Sequence, residues 1–377
     1  MTITVCQFDQ KGWIRWPDNE GLSAEFLRLL GAAQEGGSTV SECFLTASRI
    51  DPRDNESWYR EWNRTADASN ERGNTAALAR GHCLTARSNW LRAINYYSAA
   101  VFDFDFADRR FQACLANMRT CARRYLEYRT PAGEVVEIPW LSGYPLEGYF
   151  LPAAAASAQT PAVICIGEPG HRKEEYLYRT ARYARDRGMS LLAVDLLGLD
   201  NGARFENVVG RSDLETAVPS IMDYLAARDE VDERRIAILG DGSGSSFVAR
   251  GVALDQRFAA AVCDGGLWDL HERAFLAERI APRDEDMAAS LECSRIARNL
   301  KCPVLITIGE HGWLKAEHVN VLFKRLKNNQ RDITLKIFKG TETAASQGHS
   351  DNPTLANEFI FDWIADHLGC VDDAVPN

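Results

Sequence analysis

The sequence predicts an α/β protein with a mostly parallel central sheet and a helical N-terminal region. Before residue 130 the apolar residues recur with helical spacing, and after it short apolar runs alternate with helical segments. A chain of 377 residues is long enough to bury a large core without disulfide or metal staples. We therefore expect residues 1–130 to form a helical N-terminal domain that contributes to a cap, and residues 131–377 to form the core.

The N-terminal region is predicted to hold four helices. The first is expected to have Ser23 as its N-cap and to stop at the glycine pair 36–37, and the second to follow Asp54. The third is expected from about Leu84, and the fourth to include residues 111–122.

The strands are predicted from residue 134 onwards. Residues 134–140 and 146–151 read as an antiparallel pair around a turn at Ser142 and Gly143. Short apolar runs bounded by turn residues then suit strands that are buried on both faces of a parallel sheet. These runs are 162–166, 191–196, 236–239, 259–263, 304–308 and 334–338.

Helices are predicted between most of these strands. One follows Ser212, whose capping-box spacing to Glu215 marks a helix start, and Pro219 is expected to kink it. Further helices are expected after residue 244, at 316–326 and at 353–368. The charged segment 269–299 interrupts the alternation, and we interpret it as a helical cap insertion over the carboxyl ends of the strands.

The composition limits the kinds of molecule that the protein is expected to bind. The formal net charge of -10 argues against nucleic acid, since binding to phosphates needs clustered Lys and Arg. The 10 cysteines contain no C-x-x-C pair, so neither a structural zinc site nor a redox motif is signalled, and we expect no metal and no cofactor. The N-terminus does not resemble a signal peptide and no run suits a bilayer, so we expect a cytoplasmic protein without a membrane partner.

The segment 235–245 carries the main chemical signal. It runs from a buried strand through Gly240, Asp241, Gly242, Ser243 and Gly244 into a helix. A nucleophile elbow, G-x-S-x-G, places its central residue on such a strand-to-helix turn. The central residue here is a glycine, which has no side chain and cannot be a nucleophile. A dinucleotide fingerprint is also rejected, because its third glycine would be a serine and the segment does not open a βαβ unit.

The chain resembles the α/β-hydrolases that include dihydroxypseudooxynicotine hydrolase, fungal pigment chain-shortening hydrolases and fermentation-respiration-switch esterases. The resemblance covers most of the chain and is carried by ordered segments at 56–62, 88–97, 167–175, 235–245 and 302–310. It implies the α/β-hydrolase fold and a Ser, Asp, His triad in that chain order. The serine position matches Gly242 and the acid position matches Gly312, whereas His349 matches the histidine.

Several polar side chains are candidates for catalysis without a serine at the nucleophile position. His349 is the expected general base, because imidazole titrates near neutral pH. Either Glu310 or Asp264, which end neighbouring strands, is expected to orient it. Ser243, one residue after the usual nucleophile position, is the candidate for a shifted nucleophile. Asp241, one residue before that position, is a further catalytic candidate.

Substrate contacts are predicted in the loops around this turn. An oxyanion hole would use backbone amides from Ser243 and from Gly167 and Glu168 in the loop after the third strand. Gly242, His171 in the same loop and Glu272 in the insertion are expected to face the substrate.

Three functional hypotheses follow. The first is an enzyme without a nucleophile, in which His349 and the oxyanion hole act on a small ketone-like, polyketide-like or aromatic carbonyl substrate by C–C cleavage, cyclisation or elimination. The second is an ester or C–C hydrolase that uses Ser243, and the third is a non-catalytic small-molecule binding protein. A homodimer through the N-terminal helices is an expectation that rests on family analogy alone.

Overall fold

The computed structural model describes residues 7–9, 12–79, 81–141, 144–154, 159–167, 172–196, 216–242, 244–266, 300–312, 314–328 and 332–370. The predicted turn at 142–143, the capping box at 212–215 and the insertion at 269–299 lie outside these residues. Within them, no helix is long and apolar enough to cross a membrane.

The N-terminal part is helical apart from a short strand pair. The two strands are β1 Gln7–Asp9 and β2 Gly12–Ile14. In the described residues they are followed by five helices, which are α1 Glu20–Gly31, α2 Val40–Ala47, α3 Asn55–Leu78, α4 Cys83–Ala100 and α5 Arg109–Glu127. The predictions for α3, α4 and α5 are confirmed. Helix α2 was not predicted.

The predicted start and end of α1 are wrong. Asn19 is the N-cap, because its side-chain oxygen accepts the amide of Leu22 at 3.0 Å. The Ser23 hydroxyl instead bonds the backbone N–H and C=O of Trp16, at 2.9 and 2.8 Å. The helix also ends at Gly31, before the glycine pair 36–37, so the pair acts in the following turn.

The larger sheet has eight strands in the described residues, in the order β10-β9-β8-β7-β5-β6-β4-β3. Strands β3 and β4 pair with antiparallel neighbours, and the other strands run parallel, which confirms the predicted mostly parallel sheet. The strands are β3 Glu134–Leu141, β4 Tyr144–Leu151, β5 Thr160–Ile166, β6 Ser190–Val194, β7 Val231–Asp241, β8 Ala260–Asp264, β9 Val304–Gly309 and β10 Ile333–Phe338.

Six α-helices follow in the described residues of the core. They are α6 Lys173–Arg179, α7 Ala181–Asp186, α8 Ala217–Ala226, α9 Gly244–Leu254, α10 Ala316–Asn328 and α11 Pro353–Leu368. The prediction that Pro219 kinks a helix is wrong. Helix α8 begins at Ala217, so the proline lies in its first turn, where its missing N–H costs no helical hydrogen bond.

Alternate residues of the buried strands pack on opposite layers. On β5, Val163 and Cys165 join a cluster with the N-terminal helices and α11, whereas Ile164 and Ile166 join a cluster with α8, α9 and α10. This period of two explains why the strand sequences are almost continuously apolar. The first cluster runs from the N-terminal helices into the sheet without a break, so the helices before residue 130 share a core with it.

Candidate active site

The site lies at the edge of the sheet where the parallel strands have their carboxyl ends. Asp241 and Gly242 come at the end of β7, Asp264 ends β8 and Glu310 follows β9. A cavity of about 660 Å³ lies over this edge. Its described walls come from β2, α1, α6, the end of β7 and the loop before α11. This is the position where open α/β sheets bind ligands.

The turn between β7 and α9 has elbow geometry without a nucleophile. Gly242 has φ of 57°, in the left-handed region, and its amide donates to the Asp264 carbonyl at 2.7 Å. A Cβ at Gly240 would lie 2.8 Å from the backbone of Gly244, and a Cβ at Gly244 would lie 2.9 Å from the backbone of Gly167. The close approach of these three segments therefore requires glycine.

The same contact places the loop after β5 against the elbow. Gly167 is the first residue of this loop and packs on the start of α9. That juxtaposition is the one the predicted oxyanion hole needs. Glu168, His171, Ser243 and Glu272 fall outside the described residues, so their roles stay predictions.

The structure brings His349 and Asp264 together. The imidazole Nε2 lies 2.9 Å from Asp264 Oδ1, and Thr307 Oγ1 donates to the same carboxylate oxygen at 2.7 Å. Thr307 is the register partner of Asp264 on β9, so sheet pairing holds this hydroxyl against the carboxylate. Of the two predicted orienting acids, Asp264 is the one that contacts the histidine.

Both imidazole nitrogens of His349 face acceptors. Nδ1 lies 2.6 Å from the Ala344 carbonyl oxygen, and Nε2 faces Asp264. Satisfying both contacts requires a proton on each nitrogen, which is the imidazolium form. Burial by itself disfavours that charge, but the Asp264 carboxylate and the Ala344 carbonyl outweigh it and raise the pKa of His349 above its usual value. His349 is buried, and among the described residues neither it nor Asp264 lines the cavity, although Gly348 and Ser350 do.

The loop that carries His349 is held in an unfavourable backbone conformation. Thr343, Ala344 and His349 have φ of 70°, 55° and 54°. Non-glycine residues in this region cost on the order of 1 kcal/mol each. The Asp351 carboxylate offsets this strain, because it accepts the amides of Ala345 and Ser346 at 3.1 and 3.0 Å. Strain of this kind is concentrated at functional sites.

Gly312, the position that the family resemblance implies for the triad acid, lies against another side chain. A Cβ at Gly312 would lie 3.0 Å from Gln347 Oε1, so the glutamine amide stands where an acid would begin. The carboxylate that reaches the histidine comes from β8 instead of from the loop after β9. The histidine is therefore paired although the expected acid is absent.

The other two predicted carboxylates have different partners. Glu310 Oε2 accepts the amide of Gly340 at 2.8 Å, so this side chain stabilises a turn and does not contact His349. Asp241 is buried, lines the cavity and makes an ion pair with Arg179 at 2.7 Å.

Sequence reasoning missed several residues of the site. Thr307 carries a hydroxyl within an otherwise apolar strand. This polar interruption of the apolar run is the feature of the sequence that could have indicated its role. His311, Arg179 and the ion pair of Arg28 with Glu25, at 2.6 Å, also line the cavity. They come from elements that are distant in sequence, and no spacing rule connects them.

Comparison with known proteins assigns the family. The model of the FrsA-like esterases matches residues 48–283. "Hydrolyase poxO" of Penicillium oxalicum is 28% identical over 320 residues, which cover 81% of this chain and 69% of the relative. "20-hydroxy-prefusarin hydrolase FUS2" of Gibberella moniliformis is 31% identical over 259 residues, which cover 66% of this chain and 61% of the relative. The chain thus spans about 60 to 70% of the length of these relatives.

Solved structures agree on the fold. The 2,6-dihydroxy-pseudo-oxynicotine hydrolase superposes with a TM-score of 0.72 at 20% identity, covering 92% of this chain and 98% of its own. AbyA5 superposes with a TM-score of 0.67 at 15% identity, covering 94% of this chain and 96% of its own. The fold is therefore that of the α/β-hydrolases, as the sequence predicted. The chain is an enzyme of the α/β-hydrolase superfamily and belongs to the FrsA-like esterase family.

Proposed function

We propose that this protein works without a serine nucleophile and transfers protons at a carbonyl substrate through the Asp264–His349 pair. The single observation that carries the proposal is the geometry of this pair beside an elbow whose central residue is Gly242. A hydrolase-type acyl intermediate needs a hydroxyl or thiol at that point, and glycine supplies neither.

The geometry favours Asp264 Oδ2 as the atom that accepts the substrate proton. Oδ1 is occupied by His349 and Thr307, whereas Oδ2 makes no hydrogen bond within the described part of the chain. The Asp264 side chain is 13% exposed, against 4% for His349. His349, the base predicted from sequence, becomes in this proposal the charged partner that holds the carboxylate and shares the proton.

The proposed base suits one class of substrate. A carboxylate that removes a proton from carbon suits a C–H beside a carbonyl group, as in an aryl ketone or a β-dicarbonyl compound. Backbone amides beside Gly167 and the elbow would hold the enolate oxygen. The enolate leads to cyclisation or elimination. Cleavage of a C–C bond would instead begin with addition of water to one carbonyl carbon, and the enolate would be the leaving group that then takes up a proton. Names of relatives that contain 20-hydroxy-prefusarin or 2,6-dihydroxy-pseudo-oxynicotine are compatible with a multifunctional carbonyl substrate.

Exchange of carbon-bound hydrogen measures the proposed step directly. The protein is incubated in D₂O with 1-indanone, and loss of the α-proton signal is followed by NMR. Benzoylacetone is tested in parallel for cleavage products by mass spectrometry. We expect exchange by the wild type and a loss of about 10²-fold or more in Asp264→Asn, the usual size of a general acid–base contribution.

Glu310→Gln is the matched control, because it removes a neighbouring carboxylate that does not contact His349. It should retain the wild-type rate. Nitrophenyl acetate tests the competing mechanism. An acyl adduct on Ser243, or exchange that is unaffected by Asp264→Asn, would refute the proposal, and silence of the wild type in both assays would favour a binding protein.

A further inference from the structure

A second, smaller cavity lies beside the main one, under the N-terminal helices. It has a volume of about 250 Å³ and is lined by residues in or next to α1, α4, α5 and α6. It shares Glu25, Arg28, Phe102 and Glu175 with the main cavity, so one polar wall separates two adjoining spaces. We name this smaller cavity the side pocket.

One side of the side pocket is apolar, and the other is polar. Val101, Leu115 and Met118 are buried, and Phe111 completes the wall. Apolar surface of this kind takes an aromatic ring or a short alkyl chain, and it supplies roughly 25 cal/mol for each Å² of ligand surface removed from water.

Within the part of the chain that the structure describes, Arg172 is the one cation lining the side pocket that makes no ion pair with a carboxylate. Arg28 is held by Glu25 through two hydrogen bonds, at 2.8 and 2.6 Å, and Glu175 accepts the Ser98 hydroxyl at 2.9 Å. The Arg172 guanidinium lies over the rings of Phe106 and Phe111, 5.6 Å from each centroid. Over the described ranges it makes no ion pair.

This arrangement leaves the donors of Arg172 available. Stacking on aromatic faces uses the plane of the guanidinium and leaves its N–H edge to bind a planar anion with two coplanar oxygens. A carboxylate has this shape, and so does the enolate of a β-dicarbonyl compound. Glu25 and Glu175 are the carboxylates that face the same pocket, and both already have hydrogen-bond donors.

We propose that the side pocket is a specificity subsite that binds an apolar group carrying a planar anion, and that Arg172 pairs with that anion. The inference rests on the proposed function in one respect, because it takes this ligand to be one end of the carbonyl substrate. It adds that the substrate reaches from the Asp264–His349 pair into the N-terminal helices and bears a negative charge at the far end.

Binding of simple probes tests the subsite without any turnover. Dissociation constants of 2-naphthoate and its neutral analogue 2-naphthylmethanol are measured by titration calorimetry on the full chain. We expect the wild type to prefer 2-naphthoate by about tenfold, the size of one charge-assisted hydrogen-bonded contact. Arg172→Met should abolish this preference, and Leu115→Trp should weaken both probes by filling the pocket.

Arg49→Met is the control variant, since Arg49 is exposed and does not line either cavity. It should leave both constants unchanged. If Arg172→Met does not fold, the wild type still decides, because added salt should weaken 2-naphthoate and leave 2-naphthylmethanol unaffected. No preference for 2-naphthoate, a preference that survives Arg172→Met, or binding of both probes that is unchanged by Leu115→Trp, would overturn the subsite.

The two proposals fail separately. Arg172-dependent binding of 2-naphthoate without any exchange of 1-indanone would leave the subsite standing and remove the proposed reaction. If exchange of 1-indanone depends on Asp264 but binding of 2-naphthoate does not depend on Arg172, the proposed reaction stands and the subsite is removed.

Discussion

At the scale of single residues, the site combines a glycine at the centre of the elbow with a hydrogen-bonded pair of histidine and aspartate. Gly242 keeps the left-handed backbone of a nucleophile elbow, so the turn does not need the serine that usually occupies it. His349 keeps a carboxylate partner although the usual acid position is Gly312, because Asp264 reaches it from the neighbouring strand. A glycine at the centre of this turn, beside a hydrogen-bonded pair of histidine and carboxylate, fits the proposed proton transfer better than acyl transfer.

Replacement of Asp264 by asparagine should lower the pKa of His349. The carboxylate is a main reason why this pKa lies above its usual value, and an amide at the same place removes the charge while keeping an acceptor oxygen. The measurement is an NMR titration of the histidine ring signals, with His349→Gln to assign the resonance. Asp362→Asn, an exposed carboxylate paired with Arg187, is the control and should not move it.

The same shift determines how stability depends on pH. The folded pKa of His349 is raised, so its contribution is fully present below the unfolded pKa, about 6.5, and is lost as pH rises through the folded value. The unfolding free energy of the wild type should therefore fall over this window more steeply than that of Asp264→Asn. Parallel slopes in urea titrations at several pH values would contradict this assignment.

At the scale of the elements, the strand-turn-helix unit of β7 and α9 depends on small residues. Gly240→Ala should destabilise the protein by about 1 to 3 kcal/mol, because its Cβ would meet Val248 and the backbone of Gly244 at 2.7 and 2.8 Å. Gly21→Ala in α1 is the matched control, since a Cβ there finds its nearest neighbour at 3.8 Å. That change should be neutral or stabilise by less than about 1 kcal/mol. Urea unfolding followed by circular dichroism checks both, and equal effects would refute the packing argument.

At the scale of the whole molecule, a buried ionic cluster connects layers of the fold. Lys173 on α6 contacts Glu147 of β4 at 2.6 Å, Asp195 after β6 at 2.8 Å and its neighbour Glu174 at 3.2 Å. Arg119 of α5 approaches the same Glu174 at 4.0 Å. Burial alone would lower the pKa of Lys173, but the three carboxylates outweigh it and raise that pKa above its usual value.

Lys173→Met should therefore cost about 3 to 5 kcal/mol of unfolding free energy, because it leaves three buried carboxylates without their cation. The measurement is again urea unfolding, with Arg53→Met as the control. Arg53 pairs with Asp51 on the surface, so its loss should change little. A small effect of Lys173→Met would mean that the cluster does not connect the layers energetically.

The sequence by itself determined the class of fold and the glycine at the centre of the elbow motif. Apolar runs such as 304–308 and the helix at Pro353–Leu368 are local patterns, and the missing side chain at Gly242 is visible without any structure. The start of α1 could not be assigned, since whether Asn19 or Ser23 caps a helix depends on the Trp16 backbone that binds Ser23.

Only the tertiary structure decided which groups meet. Asp264 and Glu310 both end strands at the same edge and were equal candidates to orient His349. The choice depends on which side chain points to the loop before α11, and Thr307 and Gln347 shape that approach. The two cavities, and the position of Arg172 in one of them, arise from helices that are far apart in sequence. Local patterns report periodicity and turns, whereas contacts between distant segments depend on packing, so the charged pair and its surroundings emerged only with the fold.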